Sequence, residues 1–451
     1  MKVNLLVAEI GSTTTVVTAF DKINTKEPKV IGQAEHYTTV KEGDVTIGIF
    51  KAIKRLEEKL KEKINWEKFI ASSSAAGGLK ITVHGLVYDM TVRAAREAAL
   101  GAGGVLKYVT SGKMRKRHLE DVKKINPKMI LLAGGVDYGE EDTILHNAEM
   151  ISNLEIDVPI VYAGNINVAE EAKEILESKG KKVIITENVY PKVDQLNVQP
   201  ARKIIQELFS KNIIHAPGME KIHDIVDEEI IPTPGSVMLT TELLSEEFED
   251  VLVVDIGGAT TDVDSVTEGS PEIQKIMLFP EPVSKRTVEG DMGLFVNADN
   301  VYSMLDKKEL EKNFYDHEEL INKISPYPES ERMEKFTAFM ARKCFSESIV
   351  RHSGSIKYLF GPNGRQKVAQ GKDLTAIKYI IGTGGILTRS RHRKYIMESI
   401  KELERPNKLM PGKKVKLGYD KDYIFAALGV LSTIDKESAK NILLQDIEWI
   451  E

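Results

Sequence analysis

Cysteine is almost missing from this chain of 451 residues: Cys344 stands alone. One thiol excludes an intrachain disulfide and any zinc or iron–sulfur centre built on cysteines. It also suits a reducing cytosol, so the expected location is cytoplasmic. An excess of one charge sign is missing too. Lysine and arginine total 62 against 68 for aspartate and glutamate, a net charge of −6. No global field then draws the chain toward nucleic acid or an anionic membrane, and neither is an expected partner. Long hydrophobic runs are the third absence. Residues 1–8 form one short apolar run that meets Glu9 and Gly11. That run is too short for a signal peptide or a membrane span and reads as a buried strand. No amphipathic membrane-targeting tail is visible. The length implies about three units of roughly 150 residues each, enough to bury a large core without metal or disulfide staples.

What the chain does have is an internal repeat. The run Leu5-Leu6-Val7-Ala8-Glu9-Ile10-Gly11-Ser12-Thr13-Thr14-Thr15-Val16-Val17 recurs 246 positions later as Val251-Leu252-Val253-Val254-Asp255-Ile256-Gly257-Gly258-Ala259-Thr260-Thr261-Asp262-Val263. Five of the nine positions from Glu9/Asp255 to Val17/Val263 are identical. Each copy is an apolar strand, an acid–Ile–Gly step, a turn of small and hydroxyl residues, and a second β-branched strand. No helical period follows the turn, so each copy predicts a β-hairpin. Such a turn suits phosphate. Small residues let backbone N–H groups approach an anion, and Ser and Thr add hydroxyl donors. An acid before the turn cannot face phosphate directly, but it can hold hydrated Mg²⁺. A third glycine-rich turn, Gly382-Thr383-Gly384-Gly385, follows the apolar Tyr379-Ile380-Ile381 and precedes a helix start. It allows backbone to approach a flat ring and a phosphate.

Two hairpin loops and a later strand–Gly-Gly–helix turn resemble the actin, sugar-kinase and heat-shock-chaperone ATPase superfamily. That resemblance implies two ribonuclease-H-like lobes that clamp ATP and Mg²⁺. More narrowly, the chain resembles the glutamate mutase accessory protein family (MutL or GlmL, unrelated to the mismatch-repair protein called MutL). The segments carrying this are 72–79, 93–103, Leu131-Leu132-Ala133-Gly134-Gly135, Val288-Glu289-Gly290-Asp291-Met292-Gly293 and Gly382–Gly385, spread over nearly the whole chain. The resemblance implies an ATP-dependent reactivating chaperone that releases damaged cobalamin from an adenosylcobalamin-dependent mutase. The implied ligands are ATP or ADP and Mg²⁺. The implied partners are the mutase subunits, with a homo-oligomer or a small accessory subunit left open. One departure stands out: the first loop opens with Glu9 where the superfamily usually has aspartate, one methylene longer.

The expected fold is α/β, with two ribonuclease-H-like lobes and an α/β elaboration. The expected boundaries are 1–88 for the first lobe with its phosphate loop, 89–217 for the elaboration, and 218–451 for the second lobe. Periodicity predicts a helix over 45–63 and, between 89 and 217, strands at 129–133, 160–163 and 183–186. Helices are predicted between and after them, near 143–154, 168–178 and 198–210. That alternation implies parallel strands joined by crossover helices. The stretches Pro217-Gly218 and Ile231-Pro232-Thr233-Pro234-Gly235 read as a boundary. Residues 423–431 read as a buried helix completing the second lobe. Residues 289–293 read as a cleft loop, and 306–328 as a helical excursion or partner surface in which His317 is an ordinary surface histidine. Cys344 shares helical spacing with Phe336, Phe339 and Met340 and reads as core. The basic runs 113–118 and 389–394 lack interleaved aromatics. Both read first as solvated helix faces; the second directly follows the Gly-Thr-Gly-Gly turn, which leaves open that Arg389 meets adenine or a phosphate.

The expected site follows. Gly11, Ser12, Thr13, Thr14 and Thr15, with Gly257, Gly258, Ala259, Thr260 and Thr261, bind phosphates. Glu9 and Asp255 hold hydrated Mg²⁺, and Asp291 approaches the metal or the attacking water. Asp255 or Asp262 orients that water. Gly382, Thr383, Gly384 and Gly385 pack on adenosine. This arrangement needs electrostatic stabilisation and no covalent nucleophile. The same scaffold also serves small-molecule kinases and nucleotide-dependent filaments, the two alternatives.

Overall fold

The computed structural model describes residues 1–75, 79–213, 216–361 and 364–451. The chain divides into two compact units. Unit 1 comprises Met1–Leu239 and Ala426–Ile442; unit 2 comprises Thr240–Phe425 and Leu443–Glu451.

Unit 1 opens with strands β1 (Lys2–Ile10), β2 (Thr14–Asp21), β3 (Lys29–Tyr37) and β4 (Asn65–Ser73). The alternation of β-branched and apolar residues in the first two keeps Val3, Leu6, Ala8, Val17 and Ala19 buried. Between β3 and β4 runs helix Val45–Leu60, begun by an Asp44 carboxylate that accepts from Thr46 N. Its Ile49, Ile53 and Leu56 face the sheet core, as the predicted spacing requires. A second, all-parallel sheet follows: β5 (Lys80–Gly85), β6 (Val105–Ser111), β7 (Met129–Leu132), β8 (Ile160–Tyr162) and β9 (Val183–Ile185), in the order β6-β5-β7-β8-β9. The predicted strands at 129–133, 160–163 and 183–186 are β7, β8 and β9. The first two strands of this sheet were not read from the sequence, and the sheet begins at Lys80, ahead of the expected boundary at 89. The chain then returns to the first sheet as β10 (Ile231–Pro232), giving the order β10-β4-β1-β2-β3.

The Pro-rich stretch 231–235 therefore differs from its reading as a domain boundary. Pro232 sits on an edge strand, where its missing N–H costs no ladder bond. Pro234 lies in the first turn of helix Thr233–Phe248, where the N–H would be orphaned anyway. Unit 1 extends past both prolines to Leu239.

Unit 2 contains β11 (Val251–Ile256), β12 (Thr261–Val266), β13 (Ser284–Glu289), the separate hairpin β14 (Ser355–Gly361) and β15 (Gly364–Gln370), then β16 (Tyr379–Thr383), β17 (Lys416–Asp420) and β18 (Ile447–Trp449). Its main sheet runs β13-β12-β11-β16-β17-β18. Three antiparallel strands lead, and two more lie parallel to the first of them. The first sheet repeats this plan: β3-β2-β1 antiparallel, then β4 and β10 parallel to β1. The duplication seen in thirteen residues of sequence thus extends to the order of five strands in each sheet, β18 being an addition to the second. The crossover in unit 2 includes helix Glu331–His352, capped by a Ser330 hydroxyl that accepts from Met333 N at 3.2 Å. Phe336, Phe339, Met340 and Cys344 of this helix are buried together, as expected. The excursion at 306–328 contains two short helices, Lys307–Asn313 and His317–Asn322.

One expected element lies elsewhere. Helix Phe425–Ser432 falls, from Ala426 on, in unit 1 and does not complete unit 2. Its Gly429 explains the approach. A Cβ there would strike the backbone of Ser236, so only glycine lets the two helices touch. Asp435 and Ser438 then accept from Asn24 N at 2.6 and 3.1 Å, tying this segment to the loop after β2.

Candidate functional site

The two hairpin loops are alike in detail. Gly11 N donates to Thr14 O at 2.9 Å, and Gly257 N donates to Thr260 O at 2.9 Å. Ser12 and Gly258 are exposed at the tips, while Thr15 and Thr261 are fully buried at the strand starts. The carbonyls of Gly11, Thr13 and Thr14 in loop 1 and of residues 257–260 in loop 2 are occupied. Thr38 serves loop 1: its hydroxyl donates to Gly11 O at 2.8 Å and its N–H to Thr13 O at 2.9 Å. In loop 2 the segment after β13 does the same. Leu294 N donates to Gly257 O, Phe295 N and Val296 N to Gly258 O at 2.8 and 2.7 Å, and the Asn297 amide to Ala259 O at 2.6 Å. A Cβ on Gly293 would strike the Ala259 backbone, which is why this strap needs a glycine. Among the described residues, the amides of Ser12 and Thr13, and those of Gly258, Ala259 and Thr260, donate to no protein acceptor. Each loop is therefore a cluster of N–H donors with most of its carbonyls already bound, the physical form of an anion nest.

The acids before the loops differ in company. Glu9 lies opposite Val16 in the β1–β2 ladder, but Asp255 lies opposite Asp262. Asp255, Thr383 and Asp420 sit at the carboxyl ends of β11, β16 and β17, the side of an α/β sheet where ligands bind. Burial pushes the Asp255 carboxyl up to about 7, aided by the Asp262 and Asp420 carboxylates and opposed by Arg286. Asp262 is committed differently: it forms an ion pair with the fully buried Arg286. Asp264, two residues along the same strand face, is 4.0 Å from the Arg286 Nε. Burial holds its carboxyl well above the usual range, with Arg286 opposing. Arg286, Asp264, Asp420 and Asp446 were not singled out from the sequence. The signal was Asp262-Val263-Asp264: two acids on one face of a strand with apolar neighbours.

The Gly-Thr-Gly-Gly turn divides into separate tasks. Thr383 donates to Asp420 Oδ2 at 2.7 Å. Gly384 has φ +88°, and a Cβ there would lie 2.6 Å from Asp255 Oδ1. A Cβ on Gly382 would press on Leu387 and Met397. Gly385 alone meets nothing within 4 Å. Asp420 also accepts from Ile424 N at 2.8 Å and Phe425 N at 3.2 Å. Burial raises the Asp420 carboxyl as well, but its hydrogen-bond donors oppose the rise, so the proton between the two carboxyls rests on Asp446, which burial and then Asp420 push up to about 9.

Asp291 does not stand open. Arg351 binds it at 2.7 Å and Glu289 at 2.9 Å, and the Arg351 hydrogen bond lowers the Asp291 carboxyl. Among the described residues, no three His, Cys, Asp or Glu side chains form a group able to hold a metal ion. Arg389 stacks over Tyr423 at 5.3 Å, and Arg393 over Tyr419 at 4.0 Å, so this basic run covers aromatic rings of its own unit. His317 is half-buried and bonded to the Tyr302 hydroxyl at 2.5 Å. Of the segment 72–79, residues 76–78 lie outside the described residues. No helix among the described residues is long and apolar enough to cross a membrane.

Two sheets that share the order of five strands, each led by a hairpin with an anion nest, define an α/β chain of two ribonuclease-H-like lobes, the actin-like ATPase fold. The chain belongs to the MutL protein family, whose sequence profile matches residues 5–447. It is 36% identical over 456 residues to Protein MutL of Clostridium tetanomorphum, covering 97% of this chain and 98% of that protein. Among solved structures, it is similar to nucleotide-free acetone carboxylase at 10% identity and TM-score 0.38, covering 95% of this chain and 70% of the other. It is also similar to the diol dehydratase-reactivating factor in nucleotide-free form, at 10% identity and TM-score 0.37, covering 96% and 99%.

Proposed function

We propose that this protein binds and hydrolyses ATP and uses that cycle to remodel an adenosylcobalamin-dependent mutase, releasing damaged cobalamin. The observation that carries the nucleotide half is the pair of matched hairpins, each with free amides and most of its carbonyls occupied. In the first hairpin the amides of 12–13 and the hydroxyls of Ser12, Thr13 and Thr14 are donors suited to phosphate oxygens, and in the second the amides of 258–260 are, the Thr260 hydroxyl being spent on Asp262 at 3.1 Å. Gly385, unconstrained by its own chain, leaves room for the adenosine. The mutase half rests on membership of the MutL family and on the resemblance of its motifs to glutamate mutase accessory proteins.

Mg²⁺ fits the carboxylates present. Asp255 stands among like charges that a cation relieves, and Mg²⁺ keeps most of its waters, so it needs one or two carboxylates, not a cage of three. Asp255 would hold it through water, and the ion would neutralise phosphate charge. The remaining chemistry belongs to the chain. Asp255 receives a hydrogen bond from the attacking water and orients it. Asp262 holds Arg286 in place, and Asp291 with Glu289 anchors Arg351 beside the strap over loop 2. The test is reactivation. A glutamate mutase inactivated with a damaged cobalamin regains activity when this protein, ATP, Mg²⁺ and fresh coenzyme are added together. No recovery, or equal recovery without ATP, overturns the reading.

A further inference from the structure

The basic run 113–118 was expected to be a solvated helix face, yet it lines an open cavity of about 580 Å³ in unit 1. That volume is in the range of small-molecule sites. The cavity opens beside the carboxyl ends of β5 and β6, where Gly112 N bonds to Gly85 O at 2.8 Å. This is the ligand-binding end of a parallel sheet. Its wall carries Lys113, Arg115, Arg117, His118 and His146, and no Asp or Glu lines it. Lys113, Arg115 and Arg117 form no ion pair among the described residues. Basic surface runs are ordinarily laced with acids, as Arg391 is with Glu334 at 2.9 Å. Here the charge is left uncompensated around a concavity.

The loop bearing these groups is rigidly placed. The fully buried Asn147 accepts from Met114 N at 2.8 Å and donates to Gly112 O at 3.1 Å. His146 bonds to Met114 O at 3.0 Å. Asp121 accepts from the Tyr108 hydroxyl at 2.9 Å, and the Tyr108 side chain belongs to the cavity wall. Burial, then Arg117 and Arg115, hold the His118 imidazole below its ordinary range, with Asp121 opposing. His118 and His146 are engaged within the loop, His118 with Arg117 Nε at 3.3 Å; a fixed concave loop and three cations without ion pairs beside an aromatic ring match a phosphate group and a planar body.

We propose that the cavity formed by Lys113, Arg115, Arg117, His118 and His146 is a second ligand site of this protein, taking a phosphate-bearing small molecule. It rests on residues that the nucleotide reading does not use. The test is calorimetric titration of the full chain with phenyl phosphate and with orthophosphate at low ionic strength. The same titrations are run on the Arg115→Ala/Arg117→Ala variant. Both arginines are exposed, so the variant keeps its fold, checked by an unchanged melting temperature. The expected result is binding by the wild type that weakens at least tenfold in the variant, while ATP binding stays as in the wild type. Tighter binding of phenyl phosphate assigns a phosphate ester, and equal binding of the two assigns the free anion. Absence of binding by the wild type, or equal binding by the variant, overturns the proposal.

Discussion

Asp255 faces Asp262 across the β11–β12 ladder, and Arg286 on the next strand neutralises Asp262 but not Asp255. In the matching hairpin of unit 1, Glu9 faces Val16. The two copies therefore share a phosphate-loop backbone but not an acid pair. The proposed hydrolytic role therefore falls to the second copy, with Asp255 as its carboxylate.

The ion pair beneath it is structural. Asp262→Asn takes from the fully buried Arg286 its nearest carboxylate, and breaking such a buried pair costs about 3–5 kcal/mol. Denaturant unfolding of the variant is expected to show a loss of that size. Stability within about 1 kcal/mol of the wild type would contradict this assignment.

The glycines of the 382–385 turn separate fold from function. Gly384→Ala forces a side chain into a left-handed backbone against Ile256 and Asp255, and loses about 1–3 kcal/mol of stability. Gly385→Ala meets only open space, so stability is expected to stay within about 0.5 kcal/mol. If the adenosine packs there, the same variant weakens ATP about tenfold by calorimetry. Unchanged affinity removes Gly385 from the site.

Much of this architecture is legible from residues alone, and the remainder fails for identifiable reasons. The hairpins are visible because acid–Ile–Gly and two threonines recur at fixed spacing. Strands at 129, 160 and 183 are visible because each apolar run alternates with a helical period. Strand β5 is harder, because Lys80-Ile81-Thr82-Val83-His84 carries few apolar residues and a histidine whose burial is set by tertiary contacts. Prolines 232 and 234 resemble linker punctuation, but an edge strand and a helix first turn tolerate them equally. The pairing of Asp420 with Asp446 and of Asp262 with Arg286 joins distant segments, which no local period encodes.

His84 gives a pH signature. It is buried between the Thr110 and Thr82 hydroxyls at 2.8 and 3.1 Å, and burial, then His118, push its imidazole down to about 3. A base depressed in the folded state leaves the unfolded chain holding more protons between about pH 6.5 and 3. Stability is therefore full above 6.5 and falls by about 1.4 kcal/mol per pH unit below it. His352, also lowered by burial, adds in the same direction. Unfolding measured from pH 7.5 to 5 is expected to show this slope, and His84→Asn to flatten it. An unchanged slope in the variant contradicts the account.

Asp446 carries a proton near neutrality, so asparagine is close to its native form. Asp446→Asn is expected to change stability at pH 7 by less than about 1 kcal/mol. Asp420→Asn removes an anion that three donors point at and costs about 2–4 kcal/mol. Thermal unfolding of the two variants side by side checks the order, and a reversed order contradicts the proton assignment.

The central claim is that Asp255, with the hairpin loop that it precedes, serves ATP hydrolysis. The most direct measurement is phosphate release by the wild type and by Asp255→Asn, with Mg²⁺ and ATP at concentrations where calorimetry shows both proteins saturated. The account predicts hydrolysis by the wild type and a loss of at least about a hundredfold in the variant, with ATP affinity retained within about tenfold. Hydrolysis at equal rates by the two proteins, or no binding of ATP by the wild type, contradicts it.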